Sequence, residues 1–235
     1  MLVADYHTHT NYSHGTGTPE ENVLAAIARG LPTVAISEHG PKHTFFGVRY
    51  PALLRLRKEI DRLQDVYGDR INIQMGLEAN LLGDGITDAP ASSELFDFIL
   101  IGYHRGTWPA DAAGRRFLLQ VAGKRGGASA KQNALSYTRA MENTPKVLGI
   151  THPGTYIPVD IAALAIGAKE HGVALEINES HQNMTEADIR AVCEIGAALF
   201  ISSDAHRPAG VGACERSIAL AKRAGVLSQV MNWQA

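Results

Sequence analysis

Histidine is the residue type that stands out in this chain of 235 residues, with 10 copies against 6 phenylalanines and 2 tryptophans. Neutral imidazole and carboxylate are natural ligands of divalent metals. Imidazoles packed together without a metal or an anion would leave buried nitrogens unpaired, so a cluster of them predicts a metal site. The candidate ligands, each at or just after the end of a short apolar run, are His7, His9, His14, His39, Glu78, His104, His152, Asp204 and His206.

The spacing of two pairs within this set favours shared ions. Side chains two residues apart on an extended strand point the same way, so His7 and His9 are placed to bind one ion. Asp204 and His206 have the same spacing, and they either share an ion or divide their groups between neighbouring ions. A single histidine on a strand is more often a hydrogen-bonded core residue, and it is the matched placement of many that indicates metal binding.

The other three histidines are not included among the ligands. His43 lies in a polar loop and is predicted to be a surface residue. His171 precedes a glycine at a predicted helix terminus, where an imidazolium complements the helix dipole. His181 follows Asn178 by three residues, and we expect it to contact either substrate or solvent.

Seven β-rich runs position these side chains. Most are apolar on both alternations, as is typical of parallel strands buried on both faces. Helical patterns lie between them, with clear starts at Thr18-Pro19 and at Thr185 and an apolar stripe over residues 51–67. Less distinct helical segments cover 130–142, 159–171 and 213–224. This alternation predicts an α/β fold whose strands end on one side. The predicted strands are 2–6, 32–37, 71–77, 97–102, 147–151, 173–178 and 197–203.

One stretch, 105–128, breaks this alternation between the fourth and fifth strands. It is rich in glycine and in basic residues, which are Arg115, Arg116, Lys124 and Arg125. The stretch is either a solvated surface insertion or a loop over the mouth of the site, because the loops that follow strands lie at the catalytic end of such folds.

Composition limits the remaining classes of function. Lys and Arg total 22 against 24 Asp and Glu, for a net charge of -2, so there is no strong nucleic-acid signature. The first residues do not match a signal peptide, and no apolar run approaches the roughly 20 residues that span a bilayer. Cys193 and Cys214 are too few for a disulfide framework. We therefore expect one domain, residues 1–235, in the cytoplasm and without membrane contact, while the oligomeric state stays open.

The ordered ligand set resembles that of the PHP (polymerase and histidinol phosphatase) superfamily, in particular its small stand-alone phosphatase-like branch. The motifs run from residue 5 to residue 206, so the resemblance covers nearly the whole chain. It implies a distorted (β/α)7 barrel of parallel strands, similar to a TIM barrel, in a single PHP-type domain. Family members often carry Thr-Asp-His after the second strand, where this chain has Ser37-Glu38-His39.

The resemblance also implies three divalent metal ions per chain, which in the family are zinc, manganese or iron. In that arrangement Glu78 bridges two of the ions. The implied ligand sets are His7, His9, Glu78 and Asp204 for the first ion, Glu78, His104 and His152 for the second, and His14, His39 and His206 for the third.

The implied activity is that of a metal-dependent phosphoesterase acting on a small phosphomonoester. A hydroxide that bridges two ions would attack phosphorus, while the third ion stabilises charge on the oxygens. Asp204 is the candidate catalytic residue, because it can orient the hydroxide or accept its proton. Arg105, directly after His104, is a candidate phosphate clamp or a surface charge. Asn178, at the end of the sixth strand, either donates to substrate or supports a ligand histidine.

Three other functions stay open at this point. A metal-dependent amidohydrolase, which cleaves C–N bonds in a similar barrel, commonly bridges its metals with a carboxylated lysine, and no lysine here stands at a strand end. A 3'-5' exonuclease-like PHP module favours a basic stripe with stacking aromatics, which this sequence lacks. The presence of all nine ligands argues against a metal-storing domain that has lost catalysis.

Overall fold

Seven parallel strands in sequential order form the centre of the fold. The computed structural model describes residues 1–91, 93–123 and 129–234. Its sheet has the order β1-β2-β3-β4-β5-β6-β7, and each pair of neighbours is parallel. All seven predicted strands are confirmed. They are β1 (Ala4–Asp5), β2 (Thr33–His39), β3 (Asn72–Asn80), β4 (Phe98–Gly102), β5 (Val147–Ile150), β6 (Ala174–Asn178) and β7 (Ala198–Ser202).

Helices connect the strands, and their ends follow local sequence signals. Thr18 caps α1 in a reciprocal pair with Glu21, and Thr185 caps α6 with Asp188. The predicted α/β class is therefore confirmed. Among the described helices, none is long and apolar enough to cross a membrane. The helices are α1 (Pro19–Ala28), α2 (Tyr50–Tyr67), α3 (Ala112–Val121), α4 (Ser129–Asn143), α5 (Ile161–His171), α6 (Glu186–Ile195) and α7 (Glu215–Arg223).

The irregular stretch predicted over 105–128 contains helix α3, which the sequence pattern did not reveal. Asp111 caps the helix by accepting from the Gly114 backbone N–H. The helix was not predicted because Gly114 lies in its first turn and glycine is a poor helix former. Here the glycine is required, since a Cβ on Gly114 would lie 2.1 Å from the Leu82 carbonyl oxygen. Arg115 and Arg116 lie on α3, whereas Lys124 and Arg125 lie outside the described residues.

The seam between β1 and β7 is closed by side chains rather than by a continuous ladder. The Asn232 amide donates to the carbonyls of Ala4 and Ile201 at 2.8 and 2.7 Å, and its oxygen accepts from the Ile201 N–H. The buried Asp5 carboxylate accepts from the Ser203 N–H at 3.1 Å. These bonds satisfy backbone groups that an open sheet edge would leave unpaired. The predicted distorted (β/α)7 barrel is confirmed.

The inner face of β7 changes from apolar to polar toward the carboxyl end of the strand. Phe200 joins a small inner cluster with Phe98 and Leu100 of β4. Two and four residues beyond Phe200 stand Ser202 and Asp204, both buried. Because side chains on one face of a strand repeat every two residues, β7 presents an apolar group deep in the barrel and polar ones at its carboxyl end.

Candidate metal centre

The Glu78 carboxylate, at the end of β3, lies at the centre of the polar end of the barrel. Its Oε1 is 2.9 Å from His152 Nε2, 3.0 Å from His104 Nε2 and 3.3 Å from His7 Nε2. Its Oε2 is 2.8 Å from His39 Nδ1. All five side chains are buried. One carboxylate therefore contacts four imidazoles delivered by four different strands or strand ends.

Asp204 forms a second centre beside Glu78. Its Oδ1 lies 3.4 Å from His9 Nε2, 3.6 Å from His206 Nδ1 and 3.7 Å from His7 Nε2. The ring of His14 is 4.2 Å from that of His206, which brings the last of the nine predicted ligands to the cluster. The donor atoms form three groups, and within each group they all lie within 4.8 Å of one another. The groups are His7, His9 and Asp204; His9, His39 and His206; and His39, Glu78 and His104.

Several of these donor atoms face each other with lone pairs rather than hydrogens. His104 uses Nδ1 to bond Asn80 Oδ1 at 2.8 Å, so Nδ1 carries the hydrogen. Its bare Nε2 then faces Glu78 Oε1 at 3.0 Å and His152 Nε2 at 3.3 Å. The buried atoms without a hydrogen bond in the described chain include Nδ1 of His9, His14 and His39 and Oε2 of Glu78. Converging lone pairs repel, and divalent cations remove that repulsion, so this donor set fits divalent metal ions.

Glu176, in the middle of β6, holds two of the predicted ligands in place. Its carboxylate accepts from His7 Nδ1 at 2.8 Å, from the His152 backbone N–H at 2.6 Å and from Thr151 Oγ1 at 2.7 Å. Sequence reasoning missed this residue. The available signal was a lone carboxylate inside the apolar run VALEIN, because a buried charge is retained only where it is paired.

A second chain of hydrogen bonds orients His104. Asn80 accepts from His104 Nδ1, and the buried Asp88 accepts from the Asn80 backbone N–H and from Asn80 Nδ2, both at 2.6 Å. Burial raises the pKa of Asp88, although the bonds from Asn80 oppose the shift. Such outer partners fix the tautomer and the direction of a metal-binding imidazole.

Glu38, which replaces the family's usual aspartate, is also part of the support. It accepts from the Thr10 backbone N–H at 2.9 Å and from the hydroxyls of Thr10 and Ser13. Its Oε2 lies 3.7 Å from His9 Nδ1. The longer side chain therefore fixes the loop after β1 and places a negative charge behind His9.

The pKa values of the clustered histidines shift in opposite directions, and burial lowers that of the inner His104 to about 3. Burial also acts to lower the pKa of His9, but the nearby carboxylates of Asp204 and Glu38 outweigh it and raise the pKa to about 9. Burial and the neighbouring imidazole of His206 lower the pKa of His14 to about 3. Burial likewise lowers the pKa of His206 to about 4. The outer imidazoles are therefore neutral at pH 7, which is the form that binds metal.

Both central carboxylates are ionised at neutral pH. Burial would raise the pKa of Glu78, yet the neighbouring His104 and His7 hold it well below its usual range. For Asp204 burial acts in the same way, and the charge of His7 and the hydrogen bond of His9 lower its pKa. Two ionised carboxylates in a buried site need positive charge around them.

Two predicted ligands have strained backbones. His152 has φ of 30° and Asp204 has φ of 53°, and they are two of the three non-glycine residues with positive φ in the described chain. This region costs a non-glycine residue about 1–3 kcal/mol and is concentrated at functional sites. The strain turns each side chain into the barrel just beyond its strand.

A cavity of about 190 Å3 opens above Glu78 and Asp204. Arg105 lies at its mouth, with the guanidinium 5.2 Å from the centre of the Tyr156 ring. His181 is also at the mouth, with Nε2 3.7 Å from Asp204 Oδ2. The lining residues are His14, His39, His43, Phe46, Glu78, His104, Arg105, His152, Tyr156, His181, Asp204 and His206.

The expectation for His43 was wrong. Its side chain is 7% exposed and its ring stacks on that of His39 at 5.2 Å, in the wall of the cavity. Burial lowers its pKa to about 4. The residue reaches the site because the loop after β2 folds back over the cavity. The polarity of the loop residues does not predict the path that the loop takes.

Asn178 lies below the cavity and contacts carboxylates rather than a histidine. Its Nδ2 donates to Glu176 Oε2 at 2.9 Å and to Asp204 Oδ2 at 3.2 Å, and its Oδ1 accepts from the His181 backbone N–H. The side chain is 2% exposed. This geometry places Asn178 as a link between Glu176 and Asp204.

A parallel barrel that gathers imidazoles and carboxylates at the carboxyl end of its strands has the architecture of a metal-dependent hydrolase. The PHP domain model matches residues 5–114 of the chain. A "Probable phosphatase" of Aeromonas hydrophila subsp. hydrophila is 31% identical over 244 residues, covering 95% of this chain and 86% of that protein. A "Probable phosphatase" of Thermoanaerobacter sp. (strain X514) is 29% identical over 247 residues, covering 98% and 89%.

A solved structure shares the fold. It is histidinol phosphate phosphatase from Lactococcus lactis subsp. lactis, complexed with zinc, L-histidinol and phosphate, with a TM-score of 0.62 and 18% identity over 95% of this chain and 92% of that one. The chain belongs to the PHP family. The predicted family and the predicted enzyme class, a metal-dependent phosphatase, are thereby confirmed.

Proposed function

We propose that the chain hydrolyses a small phosphomonoester at a site that binds three divalent ions. The observation that carries the proposal is the set of three overlapping donor groups around Glu78 and Asp204. His9 and His39 each belong to two of the groups, and overlapping ligands are expected where ions lie side by side.

Charge favours a phosphate ester as substrate. Three divalent ions would bring six positive charges, of which Glu78 and Asp204 offset two. The remaining positive charge is complementary to a phosphomonoester dianion, whereas an amide is neutral. When bound, the ions would supply Lewis acidity, which lowers the pKa of a bound water toward about 7 and offsets charge on the phosphoryl oxygens.

Asp204 would orient the attacking water. Its Oδ2 is held by Asn178 Nδ2 at 3.2 Å, which leaves the other oxygen directed at the histidine cluster. Because His7 and His9 hold the pKa of Asp204 low, the carboxylate stays ionised and accepts a hydrogen bond from the water. A carboxylate with a low pKa is a weak base, so orientation is its larger contribution.

Arg105 would bind the phosphoryl group at the mouth. A guanidinium offers paired donors that match two phosphate oxygens. Its position 5.2 Å above the Tyr156 ring restricts its rotamers, which reduces the entropy lost on binding. The named complex of the Lactococcus lactis enzyme, with zinc, L-histidinol and phosphate, supports zinc and a small phosphorylated substrate for this chain.

We further propose that residues 1–235 act as one domain, because strands from Ala4 to Ser202 belong to a single sheet. The expected cytoplasmic location stays a prediction. It is supported by Cys193 and Cys214, which are both free thiols.

The test is a panel of small phosphomonoesters assayed with protein loaded with zinc, manganese or iron. We expect release of phosphate by the wild type and loss of about a thousandfold or more in Glu78→Gln, which removes the shared carboxylate charge. Glu170→Gln, on the exposed face of α5, is the matched control and should retain full activity. Hydrolysis of amides alone, degradation of single-stranded DNA alone, or no turnover with any metal would contradict the proposal.

A further inference from the structure

Two loops at the mouth of the cavity are joined to each other by backbone hydrogen bonds. The Thr44 N–H donates to the Gly106 carbonyl at 2.9 Å, and His43 pairs with Thr107 as an antiparallel bridge. Gly106 has φ of 89°, a conformation that favours glycine. Residues 43–46, in the loop after β2, are therefore connected to residues 105–107, in the loop that carries Arg105.

The hydrogen bonds of the His43 ring define its tautomer. Its Nδ1 accepts from the backbone N–H groups of Phe45 and Phe46, at 3.3 and 3.1 Å. A nitrogen that accepts two N–H groups carries no hydrogen, so the neutral ring has its hydrogen on Nε2. The two bonds order the backbone around Thr44, whose own N–H donates to Gly106 in the loop that carries Arg105.

Packing fixes the same ring from both sides. It stacks on His39 at 5.2 Å and on Phe46 at 5.1 Å, with planes inclined by 23° and 26°. The ring is therefore locked by stacking as well as by hydrogen bonds to its own loop. That loop is in turn bonded to the loop 105–107 through the backbone.

We propose that His43 is a positioning residue for substrate binding. Its ring orders residues 43–46, whose backbone bonds hold the loop 105–107 so that the Arg105 guanidinium meets the phosphoryl group. The inference rests on the proposed role of Arg105 and adds the residue that acts through it. His43 itself takes no part in the reaction. Its loss is therefore expected to weaken binding of phosphate far more than it slows turnover.

Two substitutions separate the hydrogen bonds from the stacking. His43→Phe keeps a ring between His39 and Phe46 but removes both hydrogen bonds. His43→Gln restores an acceptor for the backbone N–H groups of the loop. We expect His43→Phe to raise KM about tenfold because Arg105 is less well placed, with kcat within about twofold. His43→Gln should recover part of the loss, and His171→Phe, at the exposed end of α5, should change neither constant.

A double-mutant cycle with Arg105→Ala tests whether His43 acts through Arg105. If it does, His43→Phe adds less than about twofold to KM once Arg105 is removed. The affinity for inorganic phosphate, measured by calorimetry on the metal-loaded protein, should show the same pattern without any turnover. This binding measurement separates the positioning role of His43 from the proposed hydrolysis. If the protein shows no turnover but its phosphate affinity still depends on Arg105 and His43, only the proposed hydrolysis is contradicted.

Nitrogen-15 spectra of histidine-labelled protein give a direct readout of the ring. The His43 signal, identified by its absence in His43→Phe, should show a neutral ring with the hydrogen on Nε2 at pH 7. The proposal is overturned if Nδ1 carries the hydrogen, if His43→Phe leaves KM and phosphate affinity unchanged, or if its effect adds fully to that of Arg105→Ala. Loss of metal from His43→Phe would also overturn it, since positioning of Arg105 leaves the metals in place.

Discussion

The inner and outer parts of the metal centre are supported in different ways. Two inner histidines have side-chain partners behind them: Glu176 accepts from His7 Nδ1, and Asn80 accepts from His104 Nδ1. The outer His14 and His206 are only partly buried; His14 Nδ1 has no hydrogen bond in the described chain, and His206 Nδ1 bonds the Asp204 backbone carbonyl at 2.9 Å. Preorganised ligands bind metal more tightly than ligands that must be ordered by it. We therefore expect metal to be held more tightly by His7 and His104 than by His14.

The largest effect is expected from removing the inner support. Glu176→Gln keeps the size of the side chain but cannot accept from all of His7 Nδ1, the His152 N–H and Thr151 Oγ1. We expect the affinity for the tightest metal ion to fall about 10–100-fold. Competition with a chelator measures this, with Glu170→Gln as control. Unchanged affinity would show that the inner ligands need no support.

Removing an outer ligand should spare the inner ions. His14→Gln is expected to lower the bound metal by about one ion per chain, because the donors around Glu78 and Asp204 stay in place. The free energy of unfolding of the metal-free protein should change by less than about 0.5 kcal/mol, since His14 is partly exposed. Metal analysis and urea unfolding give both values. Loss of all metal would mean that the two parts are not independent.

A smaller effect is expected one step farther from the ions. Asp88→Asn weakens the bonds that hold Asn80, which in turn orients His104. We expect the affinity for one inner ion to fall about tenfold, at the lower end of the range for outer partners. The chelator assay applies again. A loss of metal affinity as large as that of Glu176→Gln would contradict the expectation that partners farther from the ions contribute less.

The pH dependence of stability should report the protonation of the clustered histidines without any substitution. His9 has a folded pKa of about 9 against 6.5 when unfolded, so its contribution is full below pH 6.5 and is lost as the pH rises toward 9. His14 and His206 have lowered pKa values, so stability also falls as the pH drops below 6.5. For the fully buried His9, each unit of difference is worth about 1.4 kcal/mol. Urea unfolding of metal-free protein should show a maximum near pH 6.5.

Bound metal should reverse the loss of stability that the metal-free protein shows above pH 6.5. Bound ions require neutral imidazoles, so loaded protein gains stability as the pH rises from 6.5 to 9. A metal-free protein whose stability also rises over this interval would contradict the raised pKa of His9.

The sequence predicted the strands and the nine candidate ligands because both follow from local periodicity. Each ligand stands at or just after a strand end, and parallel strands end on one side, so their meeting needed no knowledge of distances. The structure brings all nine together, and their roles as ligands stay predictions. Helix α3 was missed because Gly114 lowers the local helix preference, although it is required for contact with Leu82.

The supporting residues were not predictable in the same way. Glu176 supports His7 because the two lie side by side across the barrel, 169 residues apart in the chain. Asp88 reaches Asn80 through a turn, and His43 reaches Arg105 through two loops that fold back over the cavity. Such pairings depend on register and loop path, which side-chain polarity alone does not determine.

The central claim is that the strand ends hold divalent ions in three overlapping groups. The most direct measurement is elemental analysis of purified protein, loaded with zinc, manganese or iron and then passed through a desalting column. We predict about three ions per wild-type chain. A value that stays at two or below under saturating metal would contradict the three-ion site, and the absence of bound metal would contradict the metal centre as a whole.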